Sequence, residues 1–305
     1  MKPLTSPVDK ADLIKELKQD IFLRKTNNAN NEIYAFTAHQ CPLLMSELGR
    51  LRELTFRAAG GGTGEETDID TYDTSSSPYT QLIVWNPQDQ DIVGGYRFIK
   101  CTDAEVDAEG NYILATSHLF HFSENFRKNY LPYTIELGRS FVQPKYQAFS
   151  ENRVGLYALD NLWDGLGSLI VNNKDIKYFF GKVTMYNHYN RNARNLLLFF
   201  MHKYFPDLEK LVTPINPVFN YNEFVQFDKI FMTGNFNEDY KILHGLIKQH
   251  NEVIPPLINA YMKLTSTMIT FGTSSNDTFG EVEETGIMIT ISDILPSKKE
   301  RHIDF

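Results

Sequence analysis

The sequence predicts a mixed α/β protein, and two observations support this fold class. Short segments rich in β-branched and aromatic residues alternate with longer segments whose apolar residues recur at helical spacing. In the N-terminal half, strand-like segments at 79–85 and 91–100 flank Asn86-Pro-Gln-Asp, an arrangement typical of a hairpin. No internal repeat or linker interrupts the chain. We therefore expect an N-terminal extension at 1–40 and a single domain at 41–305, completed by its C-terminal part at about 206–305.

The first elements are a helix, a strand and a longer helix. Residues from Asp9 to Arg24 have a helical apolar period, with Asp9 or Ser6 as candidate cap, and 32–37 predicts a strand. The helix predicted at 42–59 ends at the flexible run 60–64. This run is glycine-rich but lacks the Lys-Ser/Thr ending of a phosphate-binding loop, and no strand precedes it.

The later elements follow from the same patterns. We predict a helix or turn at 118–126, helices at 156–171, 190–204, 239–249 and 255–263, and strands at 178–185, 268–271 and 286–292, with a loop at 272–284.

An acidic segment follows the glycine run. Residues 65–73 contain five carboxylates, at Glu65, Glu66, Asp68, Asp70 and Asp73. The spacing lacks the glycine that a calcium-binding EF-hand loop requires, and no metal site is expected. Two interpretations remain, a solvated acidic loop or a set of carboxylates that binds a cationic amine.

The strand predicted at 133–142 contains charged residues. Glu136 and Arg139 flank Gly138 in an otherwise apolar strand, which Pro144 ends. A glycine inside a strand marks a bulge or a close approach by another group. The two charged side chains either form an ion pair on an exposed strand face or belong to a functional site.

The bulk composition excludes several classes of protein. The 305-residue chain has a formal net charge of −8, which argues against a broad nucleic-acid interface. Cys41 and Cys101 form neither a metal motif nor a disulfide framework. No signal peptide or long apolar run is visible, so we expect a cytoplasmic protein, with peripheral contact at the inner membrane as an alternative.

The ordered motifs resemble one enzyme family. The motifs are Arg52-Glu-Leu-Thr-Phe56, Asp70-Thr-Tyr-Asp73, Gly94-Gly-Tyr-Arg97-Phe, Glu136-Leu-Gly-Arg139, Leu162-Trp163 with Gly165-Leu166, Phe180-Gly181 and Pro256-Leu-Ile-Asn-Ala-Tyr261. Over about 45–292 the chain is similar to the N-acyltransferases of ornithine-lipid and glycine-lipid synthesis, also labelled hemolysins, which are related to acyl-homoserine-lactone synthases. The resemblance implies a GNAT-like acyltransferase fold, with a central mixed, twisted sheet flanked by helices and a C-terminal extension of helices and strands.

The resemblance also implies roles for individual residues. The implied catalytic residues are Glu136, Arg139, Arg97, Asp70 and Asp73, and the implied substrate-binding residues are Arg52, Phe56, Phe141, Val142 and Trp163. Glu136 would act as a base or as an electrostatic anchor for the acceptor amine, and an arginine could bind the acceptor's carboxylate. Backbone N–H groups at 138–141 are candidates to stabilise the oxyanion. We expect Glu136→Ala and Arg97→Ala to retain the fold and lose acyl transfer.

The family resemblance predicts the substrates and partners. Gln143-Pro-Lys-Tyr-Gln stands where acetyl-CoA users have a pyrophosphate-binding loop. Within the family, this departure implies that the enzyme binds no cofactor. It also implies that the co-substrate is the phosphopantetheine thioester of acyl carrier protein. The implied reaction transfers a 3-hydroxyacyl group to a small amino acid, glycine or ornithine.

A basic patch is the candidate dock for acidic acyl carrier protein, with a solvated helix face as the alternative. Its residues are Lys182, His188, Arg191, Arg194, His202 and Lys203. Two other functions are alternatives, an autoinducer-type synthase and a non-enzymatic, hemolysin-like protein. The chain is longer than the usual synthase, and neither a secretion signal nor an amphipathic β-hairpin pattern supports the hemolysin.

Overall fold

The structure, a computed structural model, describes residues 1–147 and 157–304. It divides into two compact units. Unit 1 consists of Met1–Ala115, Tyr133–Lys177 and Leu295–Phe305, and unit 2 consists of Thr116–Pro132 and Tyr178–Ile294. Residues 1–40 thus contribute to unit 1, and residues 41–305, for which the sequence predicts one domain, are divided between the two units.

Helices and strands are distributed over the whole chain. The helices are α1 (Lys10–Glu16), α2 (Pro42–Ala58), α3 (Thr71–Thr74), α4 (Ala158–Asn172), α5 (Arg191–Tyr204), α6 (Phe236–Gln249), α7 (Pro256–Met262) and α8 (Pro296–His302). The strands are β1 (Phe22–Lys25), β2 (Glu32–Phe36), β3 (Thr80–Asn86), β4 (Asp91–Lys100), β5 (Phe120–Phe122), β6 (Thr134–Val142), β7 (Tyr178–Met185), β8 (Val212–Pro214), β9 (Ile269–Asn276) and β10 (Val282–Thr290). The predicted α/β class is confirmed.

Unit 1 contains an antiparallel sheet of β1, β2, β3, β4 and β6 in that order. The helix predicted from Asp9 to Arg24 is too long. Asp9 caps α1 by accepting a hydrogen bond from the N–H of Ala11 at 2.8 Å, but α1 ends at Glu16. Phe22 instead begins β1, where it pairs with Tyr34 and contacts its ring edge to face. The partner strand and the ring contact thus override a local helical period.

The two faces of the unit 1 sheet pack against different helices. Gln81, Arg97 and Gly138 are successive register partners on one face, which receives the Arg52 side chain of α2. Leu82 alternates to the other face. There α4 approaches so closely that a Cβ on Gly165 would lie 2.6 Å from Leu82 Cδ2. The sheet therefore separates α2 from α4. The predicted helix start at Leu156 lies outside the described residues.

Unit 2 contains a β7-β10-β9 antiparallel sheet and a short β5-β8 pair. The predicted helix or turn at 118–126 is wrong at its centre, because Phe120–Phe122 is a strand that pairs with β8. Its aromatic side chains pack inward, and the Phe122 and Phe180 rings meet at 5.8 Å.

The predicted loop at 272–284 is also largely wrong. Ser274 and Ser275 pair with Glu284 and Glu283, so β9 and β10 extend almost to the turn. Small polar residues favour loops locally, and here the strand ladder outweighs that preference. Across residues 1–147 and 157–304, no helix has both the length and the apolar character needed to cross a membrane.

Candidate active site

Three arginines and three aspartates meet on one face of the unit 1 sheet. They are Arg52 of α2, Arg97 of β4, Arg139 of β6, and Asp68, Asp70 and Asp73 of the acidic segment. We call them the Arg–Asp array. The sequence predicts five of the six as site residues, and Asp68 is the one that it misses. The carboxylates of Asp68, Asp70 and Asp73 thus bind arginine side chains rather than form a solvated loop.

The ion pairs in the Arg–Asp array are short and mostly buried. Arg97 Nη1 lies 2.7 Å from Asp70 Oδ1 and 3.2 Å from Asp73 Oδ2. Arg52 Nη1 lies 3.2 Å from the same Asp73 oxygen. Arg139 is 2.8 Å from Asp68 Oδ2, through Nε, and 3.4 Å from Asp70 Oδ2, through Nη2. Asp70 and Asp73 each bridge two arginines, so the array is a continuous network.

Local backbone structure places the two bridging aspartates. Asp70 is the N-cap of α3, where its side chain accepts from the Asp73 N–H, and the Asp73 side chain accepts from the Asp70 N–H. This reciprocal capping satisfies backbone donors that a helix start otherwise leaves unpaired. The same carboxylates therefore fix the short helix and bind the arginines.

The electrostatics of the array favour the ionised forms of Asp73 and Arg97. Burial disfavours the charged form of Asp73, but Arg52 and Arg97 outweigh it and hold the pKa of this carboxyl below its usual value. Burial likewise opposes the charge on Arg97, and Asp73 and Asp70 raise its pKa above the usual value. Three cations are matched by three anions, so an acceptor carboxylate would compete with the aspartates for each arginine.

Gln81 completes the array and was not predicted. Its side-chain amide donates to Asp73 Oδ1 at 2.9 Å, and its carbonyl oxygen accepts from Arg52 Nη2. Gln81 lies opposite Arg97 in the β3–β4 register. A polar residue opposite an arginine in a predicted hairpin is the signal that would have identified it.

Glu136 lies on the same sheet face in a separate hydrogen-bond group. It is 1% exposed and pairs with Ile99, two register pairs beyond Arg97 and Gly138. Glu136 Oε2 accepts hydrogen bonds from the Tyr79 hydroxyl and, at 3.2 Å, from the Ala115 N–H. The interpretation of Glu136 as part of an exposed ion pair is therefore wrong. The buried carboxylate instead faces a tyrosine hydroxyl and a backbone N–H.

Titratable groups around Glu136 respond to burial and to its charge. The pKa values of Tyr72, Tyr79 and Cys101 are raised. Burial is the largest cause for each group, and the negative charge of Glu136 is the second. Tyr79 therefore remains a hydroxyl donor at neutral pH. Tyr79 is a third residue that the sequence does not identify, because its contact with Glu136 joins positions far apart in the chain.

The bulge expected near Gly138 is present. Gly95 pairs with Phe141 and Arg97 with Gly138, so two steps along β4 face three steps along β6. The residue in the left-handed region is Arg139, with φ of 49°, rather than the glycine. This conformation is uncommon for a residue with a side chain. The bulge directs Arg139 to Asp68 and Asp70.

The predicted substrate-binding residues are not all brought together. Phe56 and Phe141 contact each other edge to face, with ring centroids 6.4 Å apart, on the face that carries Arg97. Val142 pairs with Gly94 and alternates to the other face. Trp163 lies on α4, across the sheet from the Arg–Asp array, and its ring is 6.5 Å from His302. The structure therefore does not place Trp163 at the site.

The glycine run next to the acidic segment binds a carboxylate of the chain itself. Glu53 accepts from the N–H of Thr63 at 2.9 Å, from the N–H of Gly64 at 2.8 Å and from Arg57 Nε at 2.7 Å. Gly62 has φ of 94°, which favours glycine. These donors anchor the loop to α2. Among the described residues, no group of three or more His, Cys, Asp and Glu side chains is placed to bind a metal.

The basic patch predicted in unit 2 is largely neutralised. Lys182 lies 2.5 Å from Glu284, Arg194 lies 2.6 Å from Glu283, and Lys203 lies 2.5 Å from Asp228. Burial lowers the pKa of His202 to about 4, so this imidazole is neutral at physiological pH. His188 stacks on Tyr186 with ring centroids 6.0 Å apart. The sequence spacing of the cations did not reveal the acids that pair with them.

A family model and two relatives similar over nearly their full length indicate the same enzyme class, the acyltransferases. A family model described as "Acetyltransferase (GNAT) domain" matches residues 51–153. A glycine N(alpha)-acyltransferase of Bacteroides thetaiotaomicron is 53% identical over 303 residues, covering 99% of this chain and 90% of the relative. The glycine N(alpha)-acyltransferase of Phocaeicola vulgatus is 50% identical over 304 residues, covering 100% and 93%. The crystal structure of the AHL synthase LasI is similar at 20% identity and a TM-score of 0.27, covering 45% of this chain and 64% of that one.

Proposed function

The chain belongs to the family of the glycine N(alpha)-acyltransferases, is an N-acyltransferase with a GNAT domain, and we propose that it transfers a 3-hydroxyacyl group from acyl carrier protein to the α-amino group of glycine. The observation that carries this proposal is the buried Glu136 carboxylate, held by Tyr79 and the Ala115 N–H beside the Arg–Asp array. The names of two relatives at 50% identity or more support glycine as the acceptor.

Acyl transfer to an amine requires a neutral nucleophile. Glycine is an ammonium at neutral pH, and its nitrogen attacks only after it loses a proton. In our proposal Glu136 accepts that proton, directly or through a water. The nitrogen forms a bond to the thioester carbon and loses a second proton as the carbon–sulfur bond breaks. The departing phosphopantetheine sulfur takes up one of the two protons, and the other is released to solvent. No covalent enzyme intermediate is needed.

The carbonyl oxygen of the thioester becomes an oxyanion during the reaction. The β6 bulge between Gly138 and Phe141 interrupts the ladder with β4, and its backbone N–H groups are the proposed donors to the oxyanion. The Arg–Asp array fixes this bulge through the ion pair between Arg139 and Asp68. Holding amine and thioester in the attack geometry can contribute about 7–11 kcal/mol to the barrier reduction.

The segment after β6 supports a carrier-protein donor rather than a free coenzyme A thioester. Lys145 lies 3.3 Å from Asp89 and 3.0 Å from Asp91, and Gln143 donates to Asp91 at 3.0 Å. Tyr146 donates its hydroxyl hydrogen to Asp89 at 2.5 Å. The side chains of Gln143, Lys145 and Tyr146 are thus bound to the acidic β3–β4 hairpin, and the Lys145 charge is matched there rather than available to a pyrophosphate.

An acyl-transfer assay tests the proposal. Purified protein receives 3-hydroxypalmitoyl carrier protein or 3-hydroxypalmitoyl-coenzyme A, with glycine, ornithine or homoserine lactone precursors as acceptors, and products are read by mass spectrometry. We expect N-acylglycine from the carrier-protein donor. Preference for ornithine would contradict glycine as the proposed acceptor, and preference for the coenzyme A thioester would contradict acyl carrier protein as the proposed donor. Absence of any N-acyl product from folded protein would contradict the proposed activity.

A further inference from the structure

Tyr79 is the side chain that joins the two polar groups of the site. Its hydroxyl donates to Glu136 Oε2 and also accepts from the Ala115 N–H at 2.9 Å. The centroid of its ring lies 5.2 Å from the guanidinium carbon of Arg97, within the range of a cation–π contact. One residue therefore contacts both the proposed base and the centre of the Arg–Asp array.

The position of Tyr79 is fixed from several sides. It is 1% exposed, its N–H donates to the carbonyl oxygen of Tyr72 at 2.8 Å, and the two tyrosine rings meet edge to face at 5.7 Å. Its own carbonyl oxygen accepts from Gln81 Nε2 at 3.0 Å. Tyr72 belongs to α3, which Asp70 and Asp73 cap. The geometry of the array is thus transmitted to the Tyr79 hydroxyl through short contacts.

We propose that Tyr79 is a positioning residue for acyl transfer, whose hydroxyl orients the Glu136 carboxylate and stabilises its ionised form while its ring holds Arg97. This inference rests on the proposed role of Glu136 as proton acceptor. Together the Tyr79 hydroxyl and the Ala115 N–H hold Oε2, which fixes the plane in which the carboxylate meets the amine. A hydrogen bond to the charged form of a carboxyl favours that form, so the tyrosine keeps Glu136 ready to accept a proton.

The variant Tyr79→Phe removes the hydroxyl and keeps the ring over Arg97. We expect kcat to fall about 10- to 100-fold, the factor that a hydrogen bond to a charged group contributes. The acidic limb of the pH profile of kcat/KM shifts to higher pH, because the carboxylate loses a donor and becomes more basic. The KM for glycine changes little, because the proposed role is to orient the base rather than to bind the acceptor.

A matched control is available in the same sheet. Tyr34 of β2 is buried and donates its hydroxyl hydrogen to Glu32 Oε2 at 2.8 Å, so Tyr34→Phe makes the same chemical change at another Tyr–Glu pair. We expect it to leave kcat and the pH profile unchanged. A drop in kcat of equal size in both variants, with no shift in pH profile, would show that Tyr79 is merely structural.

A double-mutant cycle tests whether Tyr79 acts through Glu136. In a Glu136→Gln background, we expect Tyr79→Phe to reduce the remaining activity by less than about twofold. Full additivity of the two substitutions, or an unshifted pH profile in Tyr79→Phe, would overturn the inference about Tyr79. The proposed function would still stand if the wild-type protein formed N-acylglycine. An inactive wild-type protein would instead contradict the proposed function itself, and the two failures are thereby distinguished.

Discussion

Arg139 of β6 and Asp68 of the acidic segment form an ion pair, with 2.8 Å between Nε and Oδ2. Asp68 is fully buried, whereas 13% of the Arg139 side chain is exposed. The pair ties the β6 bulge, where Arg139 has a positive φ, to the segment that follows the glycine run. The bulge next to Glu136 therefore depends on residues distant in sequence.

Removing Arg97 should destabilise the protein, contrary to the sequence-based expectation that Arg97→Ala retains the fold. The side chain is 3% exposed and bridges Asp70 and Asp73. Its loss removes one of the two arginine partners of the buried Asp73 and of Asp70, which costs about 3–5 kcal/mol. The urea midpoint of Arg97→Met should fall accordingly. For Lys15→Met, which removes an exposed pair with Asp12, we expect a change below about 1 kcal/mol. Equal midpoints for the two variants would contradict this prediction.

Asp73 should make the free energy of unfolding depend on pH in the acidic range. Burial raises the pKa of this carboxyl in the folded state, but the charges of Arg52 and Arg97 outweigh burial and hold the pKa below its usual value. It therefore contributes stability above the ordinary aspartate pKa of about 4, and this contribution is lost as pH falls toward the folded value. We expect Asp73→Asn to be less stable at pH 7 and to lose less stability between pH 5 and 2. The exposed Asp175→Asn serves as control, and an unchanged slope in Asp73→Asn would count against the account.

The C-terminal helix α8 should dock only against a glycine at 167. A Cβ on Gly167 would overlap the His302 carbonyl oxygen, so Gly167→Ala must displace α8 from α4. Hydrogen exchange in 295–304 should increase in this variant. Gly245→Ala in α6 places the same methyl group where no atom lies within 4 Å apart from its chain neighbours and its own helix backbone, so hydrogen exchange in α6 should stay unchanged or slow slightly. Protection of α8 in Gly167→Ala would contradict the packing described here.

Glu53 should control the mobility of the glycine run. This buried carboxylate accepts backbone bonds from Thr63 and Gly64 and an ion-pair bond from Arg57. Glu53→Gln keeps the size and loses the charge, so we expect faster hydrogen exchange and protease cleavage at 60–66. Glu65→Gln alters an exposed carboxylate that pairs with Lys2 and should leave exchange in 60–64 unchanged. Equal exchange in both variants would show that the loop does not need Glu53.

Local patterns predicted much of this structure because many elements depend on local preferences. The helix at 42–59 and the strands at 91–100 and 178–185 agree with α2, β4 and β7 within a residue. The failures come from long-range partners. Phe22 and Phe120 become strand residues because β2 and β8 pair with them, and the serines at 274 and 275 join β9 because β10 lies alongside.

The site was predicted in part for the same reason. Motif order identified Glu136, Arg97, Arg139, Asp70 and Asp73, which the structure places on one face of the sheet. Asp68, Gln81 and Tyr79 were missed because their roles arise from contacts with residues distant in sequence. Trp163 was assigned to substrate because a motif does not reveal which sheet face its helix covers. The roles of these residues in catalysis stay predictions.

The most direct test of the account is the rate of N-acylglycine formation by Glu136→Gln. This variant keeps the size of the side chain and an acceptor for the Tyr79 hydroxyl but cannot take up the amine proton. We predict that kcat falls about 10²- to 10⁴-fold while the protein stays folded. The matched Glu32→Gln, at the other Tyr–Glu pair of the sheet, should retain full activity. A folded Glu136→Gln with wild-type kcat would contradict the proposed role of Glu136.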